Sequence, residues 1–407
     1  MMEFVPILAA WQRHKLIVVL LALLVALTCG IVCNVALMIQ QRGALMSLPS
    51  GVAESNLVLV QSIDLSLTAN PIAQHKTDLA ALGLIPGVKA AAAVDALPFN
   101  GNNWTNGIMT TPDGRGGMSA SASALNGTPG ELRTLGIHIV AGRNFHPDEY
   151  IPLDSAHGFD GLEHVSAAII TEALAERLFP GKSALGRTIY SYPNPMRIVG
   201  IVDHLLRPDI GTGNDNDYSA IFPMLPDTRD VTYVLRTSPQ ERERVLKQAK
   251  DVLYQLDENR VLRGAETFEQ LRARYFESDR TMIGLLIASA AGLLFVAALG
   301  ITGLANFWVI QRRTQIGIRR ALGATRGDIL RYFQSENFLI VSFGIALGVV
   351  LAFAINTLLM RFYELRRLPF FYLPIGAVLL WCLGQIAVLG PALRASHVPP
   401  VAATRSG

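Results

Sequence analysis

Four long apolar runs stand out from the mixed pattern of this 407-residue chain. They occupy residues 16–39, 282–310, 338–360 and 371–389. None contains Asp, Glu, Lys, Arg or His, and each is near or above the ~20 residues that a helix needs to cross a ~30 Å hydrocarbon layer. The pattern therefore predicts four transmembrane helices in a 1+3 order, with a separate domain inserted between the first and the second.

The inserted segment carries the shorter patterns of an α+β domain. Apolar alternation with β-branched residues predicts strands, and a 3.6-residue period predicts helices. The predicted strands are residues 56–65, 88–96, 167–171, 197–202 and 232–236; the predicted helices are residues 74–82, 172–178, 240–256 and 268–276; residues 100–117 are predicted as a loop. We expect the last of these helices to continue into the second span.

Charge separates the inserted segment from its flanks. Residues 42–280 hold 22 basic and 28 acidic residues, a balance of −6, whereas the rest of the chain holds 13 basic and 4 acidic residues, a balance of +9. Six arginines lie in the loop at residues 311–334, and the positive-inside bias places this loop and both termini in the cytoplasm. Residues 41–280 are then extracytoplasmic. Three arginines in the short loop before the fourth span oppose this orientation.

Composition excludes several classes of protein. Charged residues are 16% and apolar residues 51% of the chain, which argues against an ordinary soluble globule. The positive charge flanks apolar runs, which argues against a nucleic-acid-binding face. The cysteines Cys29, Cys33 and Cys382 all lie in apolar runs, so the inserted segment has neither a disulfide framework nor a cysteine-based zinc site.

Candidate chemical motifs are incomplete. Gly181-Lys182-Ser183 resembles the end of a phosphate-binding P-loop, but position 176 is Glu where that motif needs Gly. Asp215 and Asp217 could offer oxygen ligands to a cation, although a solvated turn is the more common use of such a sequence. The histidines form no H-E-x-x-H pair. We expect a non-catalytic chain with no cofactor or metal of its own.

Small residues recur in the predicted spans. Gly300 and Gly303 lie in the second span, and Gly344 and Gly348 form a GxxxG pattern in the third. Such residues allow helix backbones to approach closely, which favours a packed or dimerising bundle.

The arginine-rich loop contains apolar residues that membrane anchoring does not require. Ile316, Ile318 and Leu322 alternate with arginines and precede Gly323. They predict a short amphipathic helix that presents an apolar and basic face to a partner. Thr325 and Asp328 fit a capping box that starts the next helix.

The same loop resembles that of a known family. Residues 312–330, RRTQIGIRRALGATRGDIL, are similar to the cytoplasmic loop of the MacB/FtsX-like ABC permeases. The segments that resemble other parts of that family are residues 134–145, 170–181 and 196–203 for the MacB-type periplasmic core domain and residues 391–403 for the C-terminal pattern. The resemblance covers the chain from about residue 16 to residue 403.

The resemblance implies an α-helical inner-membrane protein with a periplasmic α+β domain. The implied segments are residues 1–40 with the first span, 41–280 as the periplasmic core with a helical stalk, and 281–407 with three spans, a cytoplasmic coupling loop at 311–336 and a cytoplasmic tail. The implied coupling helix is Gln315, Ile316, Gly317, Ile318, Arg319, Arg320, Ala321, Leu322 and Gly323.

The resemblance also implies partners. The family forms dimers, so a second identical or related copy is expected, and each copy docks on a cytoplasmic ATPase that would bind ATP and Mg²⁺. The family usually has an acidic residue at the position of Gln315, which puts one docking contact in doubt. MacB itself has a fused N-terminal ATPase domain that these 407 residues do not contain, so we expect a separate ATPase chain.

Several functions fit this family. The first is efflux or secretion of a drug, peptide or other small molecule, driven by ATP through mechanotransmission, with a periplasmic adaptor and an outer-membrane duct. The second is lipoprotein release or control of cell-wall hydrolases by an FtsX/LolC-like permease. A third function, from a different class, is a membrane-anchored periplasmic sensor.

Overall fold

The computed structural model describes residues 15–65, 70–153, 162–191, 194–363, 369 and 372–397. The predictions for the N-terminal arginine and for the tail after His397 lie outside the described residues, as do those for Arg366 and Arg367. Helices of the described chain are α1 (Lys15–Met46), α2 (Pro71–Gly83), α3 (Glu131–Leu135), α4 (Glu172–Leu178), α5 (Arg242–Leu256), α6 (Phe268–Tyr275), α7 (Glu277–Gln311), α8 (Arg313–Ala321), α9 (Arg326–Tyr363) and α10 (Tyr372–Ser396).

The strands lie in the middle of the chain. They are β1 (Leu57–Ile63), β2 (Ala90–Val94), β3 (Trp104–Met109), β4 (Ser119–Asn126), β5 (Ile139–Gly142), β6 (Ile151–Pro152), β7 (Ala167–Thr171), β8 (Thr188–Ser191), β9 (Asn194–Val202), β10 (Ser219–Phe222), β11 (Met224–Leu225), β12 (Asp230–Arg236) and β13 (Val261–Thr267). Two compact units result: an α/β unit, Leu45–Ser278, and a helical unit made of the described residues on either side of it.

The helical unit contains four helices that are long and apolar enough to cross a membrane. Their candidate spans are Val18–Met46, Glu277–Gln311, Arg326–Leu358 and Gly376–Ser396. Each apolar run that the sequence analysis singles out falls within one of the helices α1, α7, α9 and α10, apart from Phe371, which the structure does not describe.

Helix α1 is the central element of the helical unit. In its most apolar window 61% of the residues are buried, against 6% in the corresponding window of α7. The buried α1 residues include Leu21, Val25, Cys29 and Cys33, and they join one apolar core with residues of α7, α9 and α10. A single helix therefore organises the packing of the other three.

Glycines let α9 approach α1. A Cβ placed on Gly348 would lie 2.5 Å from the Cβ of Cys29, and one placed on Gly344 would lie 2.7 Å from the Cβ of Val25. Gly300 of α7 would similarly meet Leu24 at 2.6 Å, whereas Gly303 has open space around it. The GxxxG pattern therefore serves packing within this chain, and Gly303 does not pack within the chain.

The α/β unit contains two main sheets. A four-stranded antiparallel sheet has the order β13-β1-β12-β2. A mixed seven-stranded sheet has the order β5-β9-β7-β10-β4-β3-β8, with parallel pairs β7–β9 and β10–β4. Strands β6 and β11 form a short parallel pair. This architecture agrees with the predicted α+β class.

Alternation along β1 explains how the four-stranded sheet is covered. Val58 and Val60 join the core with Val245, Ala249 and Leu253 of α5. The intervening Leu57 and Leu59 join a second core on the other face. Successive side chains of a strand point to opposite faces, so the apolar run of β1 fills both cores. The amphipathic pattern predicted for α5 is confirmed except at its end, where Leu256 is exposed.

A buried polar network fastens α2 to this sheet. Arg260 donates two hydrogen bonds to Asp78, at 2.7 and 3.0 Å, and both side chains are almost completely buried. Tyr233 donates to Asp78 at 2.5 Å and contacts Nδ1 of His75 at 3.0 Å. Because a buried charge is tolerated only when it is paired, these residues depend on one another.

Two sequence predictions were wrong in detail. Residues 100–117 are not all loop, because Trp104–Met109 forms β3 between β4 and β8. Its inward positions are Asn106 and Ile108, so the alternation contains a polar residue and was not recognised. The helix at 268–276 does not run unbroken into the second span: α6 ends at Tyr275, and α7 begins at Glu277 after the buried Phe276.

The glycine contacts predict opposite outcomes for two Gly→Ala substitutions. Gly348→Ala forces a methyl group against α1, and such overpacking typically costs about 1–3 kcal/mol. Gly303→Ala is the matched control, because its methyl group enters open space. We expect a lower midpoint of thermal unfolding in detergent for Gly348→Ala only. An equal loss in both variants would contradict the assigned α1–α9 contact.

Candidate functional site

Helix α8 lies between α7 and α9 and is the short amphipathic helix that the sequence predicts. It starts after Arg312, whose φ of −100° and ψ of 11° interrupt the helical course. It ends at Ala321, two residues before Gly323, where φ is +99°. The amide of Gly323 donates to the carbonyl of Arg320, and the amide of Ala324 donates to that of Arg319, both at 3.1 Å. These two bonds form a Schellman motif, which favours glycine at this position.

The predicted capping box at the start of α9 is confirmed. The carboxylate of Asp328 accepts from the amide of Thr325 at 2.9 Å, and the hydroxyl of Thr325 accepts from the amide of Asp328 at 3.2 Å. The box satisfies two amides that a helix start would otherwise leave unpaired. A glycine end and a capped start therefore define the turn between α8 and α9.

The apolar residues of α8 divide into an inner and an outer set. Ile316 is 5% exposed and packs in the core with Ile329 and Phe333 of α9. Ile318 is 49% exposed and Leu322 is 81% exposed. Of these apolar residues the outer pair is exposed, whereas Ile316, for which the sequence analysis predicts docking, packs against α9.

The arginines of this segment differ in their surroundings. Arg312 donates through Nη1 to both carboxylate oxygens of Glu336, at 3.1 and 2.9 Å, with side chains 9% and 1% exposed. The guanidinium of Arg319 lies 4.8 Å from the centre of the Tyr332 ring. Arg320 donates to the carbonyl of Ser396 at 3.2 Å. The first contact is the strongest restraint, because removing one partner of a buried ion pair typically costs about 3–5 kcal/mol.

The remaining residues of the predicted coupling helix are exposed except Gly317 and Arg320. Gly317 is buried and Arg320 half-buried, whereas Gln315, Ala321 and Gly323 are exposed. A cavity of about 80 Å³ lies beside Gln315, between α8 and α9. The surface available to a partner, called the α8 surface below, is Arg313, Gln315, Ile318, Arg319 and Leu322.

The P-loop-like and acidic motifs of the α/β unit have structural uses. Gly181 follows α4 in a turn, with φ +64°, and its amide donates to Glu176 at 3.0 Å. Asp215 pairs with Arg207. Asp217 accepts from the amide of Leu205 at 2.9 Å and pairs with Nδ1 of His204 at 2.7 Å. Within the described ranges no three His, Cys, Asp or Glu side chains converge as a metal site would require.

His204 is held by both of its ring nitrogens. One pairs with Asp217, and the other contacts the carbonyl of Pro49. The hydrogen bond that His204 donates to Asp217 raises the pKa of His204 above its usual value, although partial burial opposes the shift. His204 thus links Pro49, near the start of the α/β unit, to Asp217 in the segment before β10.

A buried carboxyl pair lies where the two sheets meet. Asp95, after β2, accepts from the backbone and side-chain amides of Asn126, at the end of β4, at 2.9 and 2.8 Å. Burial raises the pKa of Asp95 to about 6. Burial and the nearby Asp95 raise the pKa of Glu131 well above its usual value. Two neighbouring carboxyls in a low-dielectric site resist double ionisation, which agrees with the upward direction of both pKa shifts.

Comparison with known families decides what kind of protein this is. A model of the MacB-like periplasmic core domain matches residues 20–255, and a model of the FtsX-like permease C-terminal region matches residues 287–400. The chain belongs to the MacB/FtsX-like ABC permease family. The first match covers the α/β unit up to α5, and the second covers α8 together with the helices on either side of it.

Individual relatives of this permease agree with the family. A protein described as macrolide export ATP-binding/permease protein MacB, from Bartonella henselae, is 30% identical over 290 residues, which cover 67% of this chain and 41% of that protein. An ABC transporter permease, YvrN from Bacillus subtilis, is 27% identical over 66% of each chain. The periplasmic region of MacB from Actinobacillus actinomycetemcomitans is 12% identical, with a TM-score of 0.35, over 55% of this chain and 94% of that structure. The permease spans less than half the length of the MacB relatives.

The raised pKa of His204 predicts a pH-dependent stability of the permease. Its folded pKa lies above the unfolded value of ~6.5, so its contribution is complete below that pH and is lost as pH rises through the folded pKa. His204→Gln should therefore lower the unfolding midpoint more at about pH 6 than at about pH 9. His138→Gln, at an exposed position, is the control. A pH-independent difference would rule out the charged pair.

Proposed function

We propose that this permease is the membrane subunit of an ABC transporter and that a separate cytoplasmic ATPase docks on the α8 surface. ATP hydrolysis in that partner, with Mg²⁺ bound there, drives a conformational change of the helical unit. The change is passed to the α/β unit outside the cytoplasm. The permease itself provides no catalytic group, and its role is mechanical.

The α8 surface carries this proposal. Ile318 and Leu322 are apolar residues exposed beside arginines in a short segment between two span-length helices. An exposed apolar pair at the tip of a loop gives a partner a small hydrophobic anchor, and the surrounding arginines favour an acidic rim. Ile316 on the opposite face is buried against α9, so a partner that binds α8 also acts on α9.

The distribution of charge along the chain supports a cytoplasmic location for α8 and a periplasmic location for the α/β unit. The α8 segment is rich in arginine, and the α/β unit lies in the part of the chain with a balance of −6. The positive-inside bias then puts α8 and both termini in the cytoplasm and residues 41–280 in the periplasm, with a 1+3 order of spans in the inner membrane.

The chain passes from one unit to the other at two places, after Ala44 and before Asp279. Within the helical unit, Arg42 pairs with Asp279 next to both crossings. Within the α/β unit, Arg272 donates to the carbonyls of Met46 and Leu48 at 2.8 and 2.7 Å. These contacts support the proposal that the two chain segments at the crossings move together.

Export is the function that the relatives' descriptions favour. MacB proteins from several bacteria are described as macrolide export ATP-binding/permease proteins. We propose export of a drug, peptide or other small molecule by a complex that holds two copies of this permease or one copy and a related chain. A periplasmic adaptor and an outer-membrane duct would complete the assembly.

Docking is tested by placing charge on the α8 surface. Ile318→Asp and Leu322→Asp each introduce a carboxylate that would lose its water in the interface. We expect co-purification of the ATPase in mild detergent to fall at least about tenfold, which corresponds to about 1.4 kcal/mol of binding free energy. Mass spectrometry of the co-purified chains identifies the ATPase.

Leu84→Asp is the matched control for the docking test. Leu84 is 84% exposed, like Leu322, but lies in the α/β unit. It should leave co-purification unchanged. If the wild-type permease retains no ATPase, or if both α8 variants retain it fully, the proposed docking is wrong.

A further inference from the structure

The ion pair between Arg312 and Glu336 lies where residues of the α7–α8 joint meet α9. Arg312 is the one residue between α7 and α8, and Glu336 lies ten residues into α9. One guanidinium nitrogen, Nη1, donates to both carboxylate oxygens, at 2.9 and 3.1 Å. The same guanidinium lies 5.2 Å from the centre of the Trp308 ring of α7. Three helices therefore meet at one buried ion pair.

The surroundings of the pair are mostly apolar, although the Tyr332 side chain contacts Arg312 and the Arg319 guanidinium also lies near Glu336. Trp308, Ile316 and Phe333 are each 5% exposed and belong to the same core. A pair of apolar residues would satisfy such a site, because desolvation of two charges usually offsets most of their attraction. What an ion pair adds is direction, since hydrogen bonds to a carboxylate restrict the angle at which Arg312 approaches α9.

The residue after Glu336 extends this restraint to the last helix. Asn337 donates through Nδ2 to the carbonyl of Gly384 of α10 at 3.0 Å, and both of these α9 side chains are buried. Consecutive residues of α9 thus hold the start of α8 on one side and the middle of α10 on the other. A displacement of α8 reaches α9 at the place where α9 is attached to α10.

We propose that Arg312 and Glu336 are positioning residues that lock α8 to α9, so that movement of the docked ATPase turns the helices instead of bending the α7–α8 joint. This proposal rests on the proposed function, because it assigns a mechanical role to the segment that carries the docking surface. Loss of the lock leaves docking intact and uncouples it from the helices.

The test compares a broken pair with an apolar pair. Glu336→Gln removes the charge, and Arg312→Met with Glu336→Leu replaces the pair by apolar residues of similar size. Each variant is measured for its unfolding midpoint, for co-purified ATPase, and for export of a macrolide, used as the probe, per ATP hydrolysed in vesicles. Glu149→Gln breaks the Arg143–Glu149 pair of the α/β unit and is the matched control.

We expect Glu336→Gln to keep the co-purified ATPase and to lower export per ATP about fivefold or more, in the range of coupling free energies between sites. The apolar pair should restore the unfolding midpoint but not the export per ATP. Restoration of both would overturn the proposal, because the pair would then serve packing alone. Unchanged export per ATP in Glu336→Gln would also overturn it.

A second measurement does not depend on the ATPase. Spin labels on Leu322→Cys and Arg331→Cys, in a permease that also carries Cys382→Ala, report the distance between α8 and α9 after purification. The distance distribution should broaden in Glu336→Gln and in the apolar pair, and stay narrow in the Glu149→Gln control. A narrow distribution in all variants would refute the lock, whereas absence of a co-purifying ATPase would refute only the proposed function.

Discussion

The close approach of α1 and α9 is the constraint on which the helical unit depends. In a bilayer, lipid tails are as apolar as leucine side chains, so helices associate through tight packing and hydrogen bonds and not through a hydrophobic driving force. Gly344 and Gly348 bring the backbone of α9 against Val25 and Cys29 of α1. Asn34 adds a hydrogen bond from its amide to the carbonyl of Ala352 at 3.0 Å. The most apolar window of α7 is largely exposed by comparison, so the rigid part of the unit is built around α1.

The charged restraints of the helical unit lie outside the apolar runs. Arg312 and Glu336 join the α7–α8 corner to α9, and the Thr325–Asp328 box starts that helix. Arg42 of α1 pairs with Asp279 of α7, near both places where the chain passes to the α/β unit. Charged groups are thus kept outside the apolar runs, which carry none.

Periodicity and capping account for what the sequence predicts well. The four span-length helices, α8 and the box at Thr325 each follow from signals within about ten to thirty residues. The Arg312–Glu336 pair could not be predicted, because its partners are 24 positions apart and nothing local distinguishes Arg312 from its five neighbours in the loop. Burial of Ile316 was missed because a nine-residue helix does not reveal which face meets α9. Strand β3 was missed because Asn106 occupies an inward position.

The length of α9 bears on how the helical unit would respond to force on α8. It runs for 38 residues, or roughly 57 Å at ~1.5 Å per residue, about twice the hydrocarbon thickness. Glu336 precedes the uncharged apolar run of residues 338–360, so the ion pair lies next to that run and outside it. Under the proposed function we expect this continuous helix, held at that end by α8 and packed on α1 through Gly344 and Gly348, to respond to a push on α8 by moving as a body. Bending would require breaking its own backbone hydrogen bonds, and no proline interrupts the helix to make that easier.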